Sequence, residues 1–290
     1  MSYHQPPAAF VSSAVLRVKN LEKSIEFYKE TLGFHVEKPS ESSALISADR
    51  KNILLTLQAD PYFKRPAVPK NGLFHLAFLL PDRPSLGAVL KHLVERNYPL
   101  QGASDHGVSE ALYLADPEGN GIELYCDRPA SSWKWKGDQV QMTTQALDAE
   151  GLLAEASVFE GMPAETILGH IHLQVNDIRE GESFYIDSLN FDRVSTIGDH
   201  ALFISTDAYH HHIAMNTWSG RHKKALSKDE TGLASFQIVY PDRNSLLNVE
   251  KSLQEAGAAV TGTENELQTV DPFGITVELT VYNGGSNSYQ

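Results

Sequence analysis

The sequence predicts an α+β fold built from four copies of one βαβββ unit, arranged as two pairs. Three observations predict it. Residues 21–34, L-E-K-S-I-E-F-Y-K-E-T-L-G-F, return at 178–191 as I-R-E-G-E-S-F-Y-I-D-S-L-N-F. The hexapeptide Pro-Asp-Arg-Pro-Ser-Leu at 81–86 returns as Pro-Asp-Arg-Asn-Ser-Leu at 241–246. The turn Asp116-Pro117-Glu118-Gly119 returns as Asp271-Pro272-Phe273-Gly274. Self-similarity of this kind outranks any single motif in assigning a fold, because each copy is one supersecondary unit.

The first ten residues, with Pro6 and Pro7, read as an extended arm. Residues 11–18 form a strand. Asn20 then precedes a helix whose apolar positions Leu21, Ile25, Tyr28 and Leu32 have helical spacing, and Gly33 suits its C-terminal end. Strands near 34–37, 43–47 and 52–58 complete the first module. From Gly72 the order restarts with a strand at 73–80, a helix near 84–96 and strands near 98–101, 109–115 and 120–126. Residues 128–166 lack strand periodicity, contain Trp133, Trp135 and a helical run near 146–156, and read as a linker packed on the surface. The first pattern returns from Ile167 and the second from Gly232. The predicted domains are thus 10–127, holding modules one and two, and 167–282, holding modules three and four.

Composition sets the bounds. A chain of 290 residues can bury two ordinary cores. Its net charge of -13 argues against a nucleic-acid or anionic-membrane partner, either of which needs a basic face. No apolar run approaches the ~18 residues of a membrane span, and the single Cys126 excludes an intrachain disulfide or a cysteine metal cluster. A cytoplasmic protein is expected.

Chemistry concentrates between residues 106 and 125. His106, Tyr113 and Glu123 lie on two strand-like runs joined by the Asp116–Gly119 turn, where Pro fixes φ and Gly supplies the unusual dihedral. Glu123 has apolar neighbours, among which an unpaired carboxylate is costly. A buried Glu close to a Tyr and a His suggests a metal or proton-transfer site.

The repeat resembles the vicinal oxygen chelate superfamily of glyoxalase I, bleomycin-resistance proteins and extradiol ring-cleaving dioxygenases, over residues 11–126 and 167–282. The resemblance implies modules paired into two cup-shaped sheets, with metal ligands drawn from first and last strands. Aligning the first strands on their apolar pattern brings Ser13, His75, His170 and Ser235 to one position. Aligning the last strands brings Leu54, Glu123, His212 and Glu278 to another. Alternate strand residues share a face, so both positions should point into a cup. Modules two and three then supply His75, His170 and Glu123. A 2-His-1-carboxylate set with open positions suits Fe(II) and dioxygen; Mn(II) is the alternative, and Zn(II) would need an added ligand. His172 is a rival ligand, as is Glu278 in a site of His170, His212 and Glu278.

The stretch from His106 through Leu112-Tyr113 and Asp116-Pro117-Glu118-Gly119 to Glu123 is similar to the extradiol dioxygenase signature. That similarity implies opening of catechol or a substituted catechol by O₂ to a 2-hydroxymuconic semialdehyde. The run His211-His212-Ile213-Ala214-Met215 resembles the same family's His-His pair, which implies an acid/base role for His212 and substrate hydrogen bonds from His106 and Tyr113. Read as a strand end, His210 and His212 share a face and His211 points away. Trp133, Trp135 and Trp218 are expected to pack. Modules two and three must meet either within one chain, leaving one and four as an empty cup, or across a homo-oligomer interface. Two other classes stay open. A glyoxalase-like isomerase or lyase needs a second carboxylate, which Leu54 removes from module one. A metal-free small-molecule-binding protein of the bleomycin-resistance type would not need a full His/His/Glu/Tyr set.

Overall fold

The computed structural model describes residues 3–284 and gives each unit the expected strand, helix and further strands. Module one holds β1 (Phe10–Val18), α1 (Leu21–Glu26), β2 (His35–Ser40), β3 (Ser43–Ser47) and β4 (Ile53–Ala59). The Asn20 side chain accepts the Lys23 N–H and so starts α1. The helix runs on into a π turn, Phe27–Thr31, and ends at Gly33, whose φ is 76°. The repeat keeps both features, with a π turn at Ser183–Ser188 and Asn190 at φ 62°. Glycine and asparagine tolerate the left-handed region, which is why this helix end reads Leu-Gly-Phe once and Leu-Asn-Phe once.

Module two holds β5 (Gly72–Leu79), α2 (Arg83–Glu95), β6 (Gly102–Asp105), β7 (Ser109–Ala115) and β8 (Gly121–Asp127). The strand expected at 98–101 begins later because Asn97, at φ 53°, first turns the chain out of α2. The linker carries a hairpin of β9 (Trp135–Lys136) and β10 (Gln139–Val140), then β11 (Gln145–Ala146) and α3 (Ala149–Ala154). Module three holds β12 (Ile167–Gln174), α4 (Ile178–Glu182), β13 (Asp192–Ile197), β14 (Ala201–Ser205) and β15 (Ile213–Asn216). Module four holds β16 (Gly232–Tyr240), α5 (Arg243–Glu255), β17 (Thr261–Gly262), β18 (Glu266–Val270) and β19 (Thr276–Val281). The repeated Pro-Asp-Arg motif is a helix start: Asp82 and Asp242 accept the N–H of Ser85 and Ser245.

The sheets cross the boundary between residues 10–127 and 167–282. One runs β17-β18-β19-β16-β1-β4-β3-β2 and joins module four to module one. The other runs β11-β6-β7-β8-β5-β12-β15-β14-β13 and joins module two to module three. Modules two and three therefore meet within one chain. Helix-to-turn contacts tie each half together: the Tyr28 hydroxyl donates to Asp116 at 3.3 Å and that of Tyr185 to Asp271 at 2.8 Å.

One continuous core, including Leu16, Leu55, Phe78, Leu124, Ile171 and Phe236, spans both halves. The cup face of the second sheet carries a smaller cluster, in which Phe203, Tyr209 and Ala214 pack with Trp133 and Val140 of the linker and with Tyr3 of the N-terminal arm. The linker is thus part of this cup: β11 extends its sheet beside β6.

Candidate metal centre

Strand pairing explains how three distant residues converge. Antiparallel β5 and β12 set His75 opposite His172 and Ala77 opposite His170. Parallel β8 then sets Glu123 beside Ala77. His170, Ala77 and Glu123 form a row across three strands, and His75 lies two residues before Ala77 on the same face. One ligand atom from each of His75, Glu123 and His170 lies within 4.8 Å of the others, and all three residues are buried. Glu123 Oε2 is 2.9 Å from His75 Nε2 and 3.2 Å from His170 Nε2. Donors about 2.1 Å from an ion and at right angles to one another lie about 3.0 Å apart, so the spacing suits a divalent ion. His75 Nε2 is buried and faces the Glu123 carboxylate without the alignment of a hydrogen bond, an arrangement in which an ion could take a lone pair from each. Two imidazoles and one carboxylate fit a transition metal, with Ala77 leaving the space between them unfilled.

The charge states suit the same purpose. Burial opposes ionisation of Glu123, but the neighbouring His170 and His75 outweigh it and hold the carboxyl well below its usual range. Burial lowers the His170 imidazole to about 4, against the pull of Glu123. An ionised carboxylate beside a neutral imidazole is the form that binds a metal without first losing a proton. Burial, and then the Glu123 charge, raises the Tyr113 phenol and keeps it protonated.

Further side chains surround the cluster, and hydrogen bonds fix the tautomers of two imidazoles. The Thr143 carbonyl, 2.8 Å away, must accept from His106 Nδ1, so with one ring hydrogen His106 offers Nε2 as an acceptor to the Tyr113 hydroxyl at 2.6 Å. The Asn216 carboxamide oxygen accepts the Trp218 N–H, which turns its NH₂ towards His172 Nε2 at 2.9 Å and leaves the His172 hydrogen on Nδ1. The His211 ring lies 4.1 Å from the His170 ring, centroid to centroid. Phe74, 39% exposed, and Trp218, 51% exposed, stand 5.3 Å apart beside His172 and make an aromatic rim. Trp218 therefore lines the mouth of the cup, whereas Trp133 packs from the linker into the cluster with Tyr209.

Four expectations require correction. In the last strands, pairing aligns Glu123 with Thr56, Ala214 and Glu278, since these stand beside Ala77, Val15, His172 and Gln237 respectively. Leu54 and His212 are out of that register. His212 turns away from the cluster: its Nε2 donates to the Tyr3 carbonyl at 2.9 Å and its Nδ1 accepts from Ser205 Oγ at 3.1 Å. The cause is a turn with Asp207 and Ala208 at φ 54° and 56°. It keeps residues 210–212 out of β15, so strand alternation does not apply to them and His211, not His212, meets His170. Glu278, on β19, belongs to the other sheet and cannot join a site with His170. His172 is near His75, with ring centroids 4.8 Å apart, but its Nε2 is held by Asn216 and it lies outside the three-residue cluster.

Residue patterns alone missed His211, Asn216 and the Thr143 carbonyl. The His-His pair was a signal for the first; a backbone carbonyl leaves none. The family model described as the Glyoxalase/Bleomycin resistance protein/Dioxygenase superfamily matches residues 11–124 and 167–279. The chain is 43% identical over 268 residues to a catechol-2,3-dioxygenase of Bacillus subtilis (strain 168), covering 90% of this chain and 93% of that one. A crystal structure of a putative dioxygenase from Bacillus subtilis subsp. subtilis str. 168 superposes with a TM-score of 0.64 at 13% identity, covering 94% of this chain and 84% of that one. Glyoxalase I from Zea mays gives 0.54 at 17% identity, with 94% and 92% covered. At those identities the structures speak for the fold alone.

Proposed function

Because the chain belongs to the glyoxalase/bleomycin resistance protein/dioxygenase superfamily, we propose that it is an extradiol dioxygenase, opening catechol or a substituted catechol with O₂ beside its two hydroxyls. The product is a 2-hydroxymuconic semialdehyde. One observation carries the reading: His75, His170 and Glu123 converge in a buried cup, in a chain 43% identical to a catechol-2,3-dioxygenase. These three residues would hold Fe(II), with Mn(II) as the alternative. When bound, the ion lowers the pKa of the catechol hydroxyls and brings redox chemistry with dioxygen.

The remaining steps belong to the chain. His211, beside His170, takes the proton of the second catechol hydroxyl and later returns it, the role that the family resemblance assigned to His212. His172 donates its Nδ1 hydrogen to a substrate oxygen. Tyr113, its hydrogen held by His106, keeps its oxygen lone pairs for a substrate hydroxyl. Phe74 and Trp218 offer faces against which an aromatic ring packs. No carboxylate stands at the Glu123 position of module three, where Ala214 lies, so the four-ligand metal of a glyoxalase-like isomerase lacks its second carboxylate.

The test is catechol turnover by anaerobically iron-loaded protein, following yellow semialdehyde together with O₂ uptake. Equal amounts of product and O₂ consumed are expected. Tightly held metal with no ring cleavage across a panel of catechols would overturn the reading.

A further inference from the structure

We propose that Asp127 and His210 form a positioning pair that decides which nitrogen of His211 is left bare for the substrate. The inference rests on the acid/base role proposed for His211. Asp127 ends β8, four residues after Glu123, so the strand that supplies the carboxylate ligand also supplies the start of this chain of contacts. Asp127 Oδ1 lies 2.8 Å from His210 Nε2. His210 Nδ1 lies 2.9 Å from His211 Nδ1. The His211 ring then meets the ligand His170.

The hydrogens follow from chemistry. A carboxylate only accepts, so His210 Nε2 carries its hydrogen. With one hydrogen on its ring, His210 then has a lone pair on Nδ1. Two bare nitrogens gain nothing from an approach this close, so His211 Nδ1 must be the donor. His211 Nε2 is left with its lone pair, the form that can accept a proton.

The surroundings hold the pair in place. His210 is fully buried, so no water competes for its nitrogens. The Tyr209 hydroxyl donates to the same Asp127 oxygen at 3.3 Å and is itself bonded to the Tyr125 hydroxyl at 2.9 Å. Trp133 stands edge-on to the His210 ring at 5.3 Å. Asp127 reaches the His211 ring through His210.

The tautomers can be read without metal or substrate, in the full-length metal-free chain carrying ¹⁵N-labelled histidine, by long-range ¹⁵N–¹H correlation. The expected result is hydrogen on Nε2 of His210 and on Nδ1 of His211. Asp127→Asn keeps an acceptor oxygen, so both tautomers should persist and kcat for catechol in the iron-loaded protein should stay within about 3-fold. Asp127→Ala should mix the His211 tautomers and lower kcat at least ~10-fold with KM within about 2-fold. Hydrogen on Nε2 of His211 in the unaltered chain would overturn the proposal, whether or not the alanine variant folds. So would an alanine variant that matches the asparagine variant in tautomers and kcat. The expected tautomers in a chain that cleaves no catechol would support the pair and sink the dioxygenase reading instead.

Discussion

At the residue scale the proposed metal centre depends on one small side chain as much as on its three proposed ligands. Ala77 is fully buried between His170 and Glu123. Its single methyl leaves free the volume that an ion would take, and overpacking a filled interior is costly. Ala77→Leu should therefore lose metal while remaining folded, as measured by metal per chain and circular dichroism; full metal content in the folded variant would contradict the geometry. The two adjacent histidines should separate cleanly. His211→Ala should lower kcat by ~10²–10⁴ with metal content unchanged. His212→Ala should instead destabilise the chain by about 1–3 kcal/mol through its lost bonds to Tyr3 and Ser205, read in denaturant unfolding. Equal kcat losses in both would remove the distinction. The convergence of His75, His170 and Glu123 was legible in the sequence because first-strand alternation and a fixed turn place them. The choice between His211 and His212 was not. It depends on two left-handed residues, Asp207 and Ala208, that end strand geometry before it reaches the histidines.

At the element scale the Asp-Pro-x-Gly turns carry the repeat. Asp116 Oδ1 accepts the N–H groups of Glu118 and Asn120, and Asp271 Oδ1 accepts those of Phe273 and Ile275. Gly119 and Gly274, at φ 89° and 86°, close the two turns. These bonds set where β8 and β19 begin, and so where Glu123 stands. Asp271 is buried deeply enough that burial, opposed by its hydrogen bonds, raises its carboxyl to about 6. A carboxyl raised above its unfolded value binds its proton more tightly when folded. Its contribution to stability is thus complete below about pH 4 and is lost as pH rises through about 6, a change on the order of 3 kcal/mol. Asp271→Asn cannot ionise, so stability relative to wild type should rise by that order between pH 4 and 7 in urea unfolding. A flat difference would mean that Asp271 is not buried as a neutral acid. The turns, helices and most strands were legible because Gly, Pro, Asp and apolar spacing act locally. The start of β6 was displaced by the turn at Asn97, which no local pattern marks.

At the scale of the whole molecule, the repeat revealed how many modules exist but not which of them share a sheet. β1, β5, β12 and β16 are similar strands, and each could hydrogen-bond to another. The choice depends on long-range packing, including the Tyr28–Asp116 and Tyr185–Asp271 contacts that hold each half together while its strands pair across. The outcome places β5 beside β12 and brings together Glu123 and His170, proposed ligands 47 residues apart in the chain. The same pairing leaves Ser13, Thr56, Ser235 and Glu278 at the corresponding positions of the other sheet, a set without a histidine. The proposed centre therefore predicts one metal per chain. The measurement that tests this most directly is metal content per chain in the wild type and in Glu123→Ala, His170→Ala and Glu278→Ala, after equal loading and desalting. One ion per chain in the wild type and Glu278→Ala, with none kept by the other two, is the predicted result. Loss of metal in Glu278→Ala, with retention in Glu123→Ala, would contradict a centre built from modules two and three.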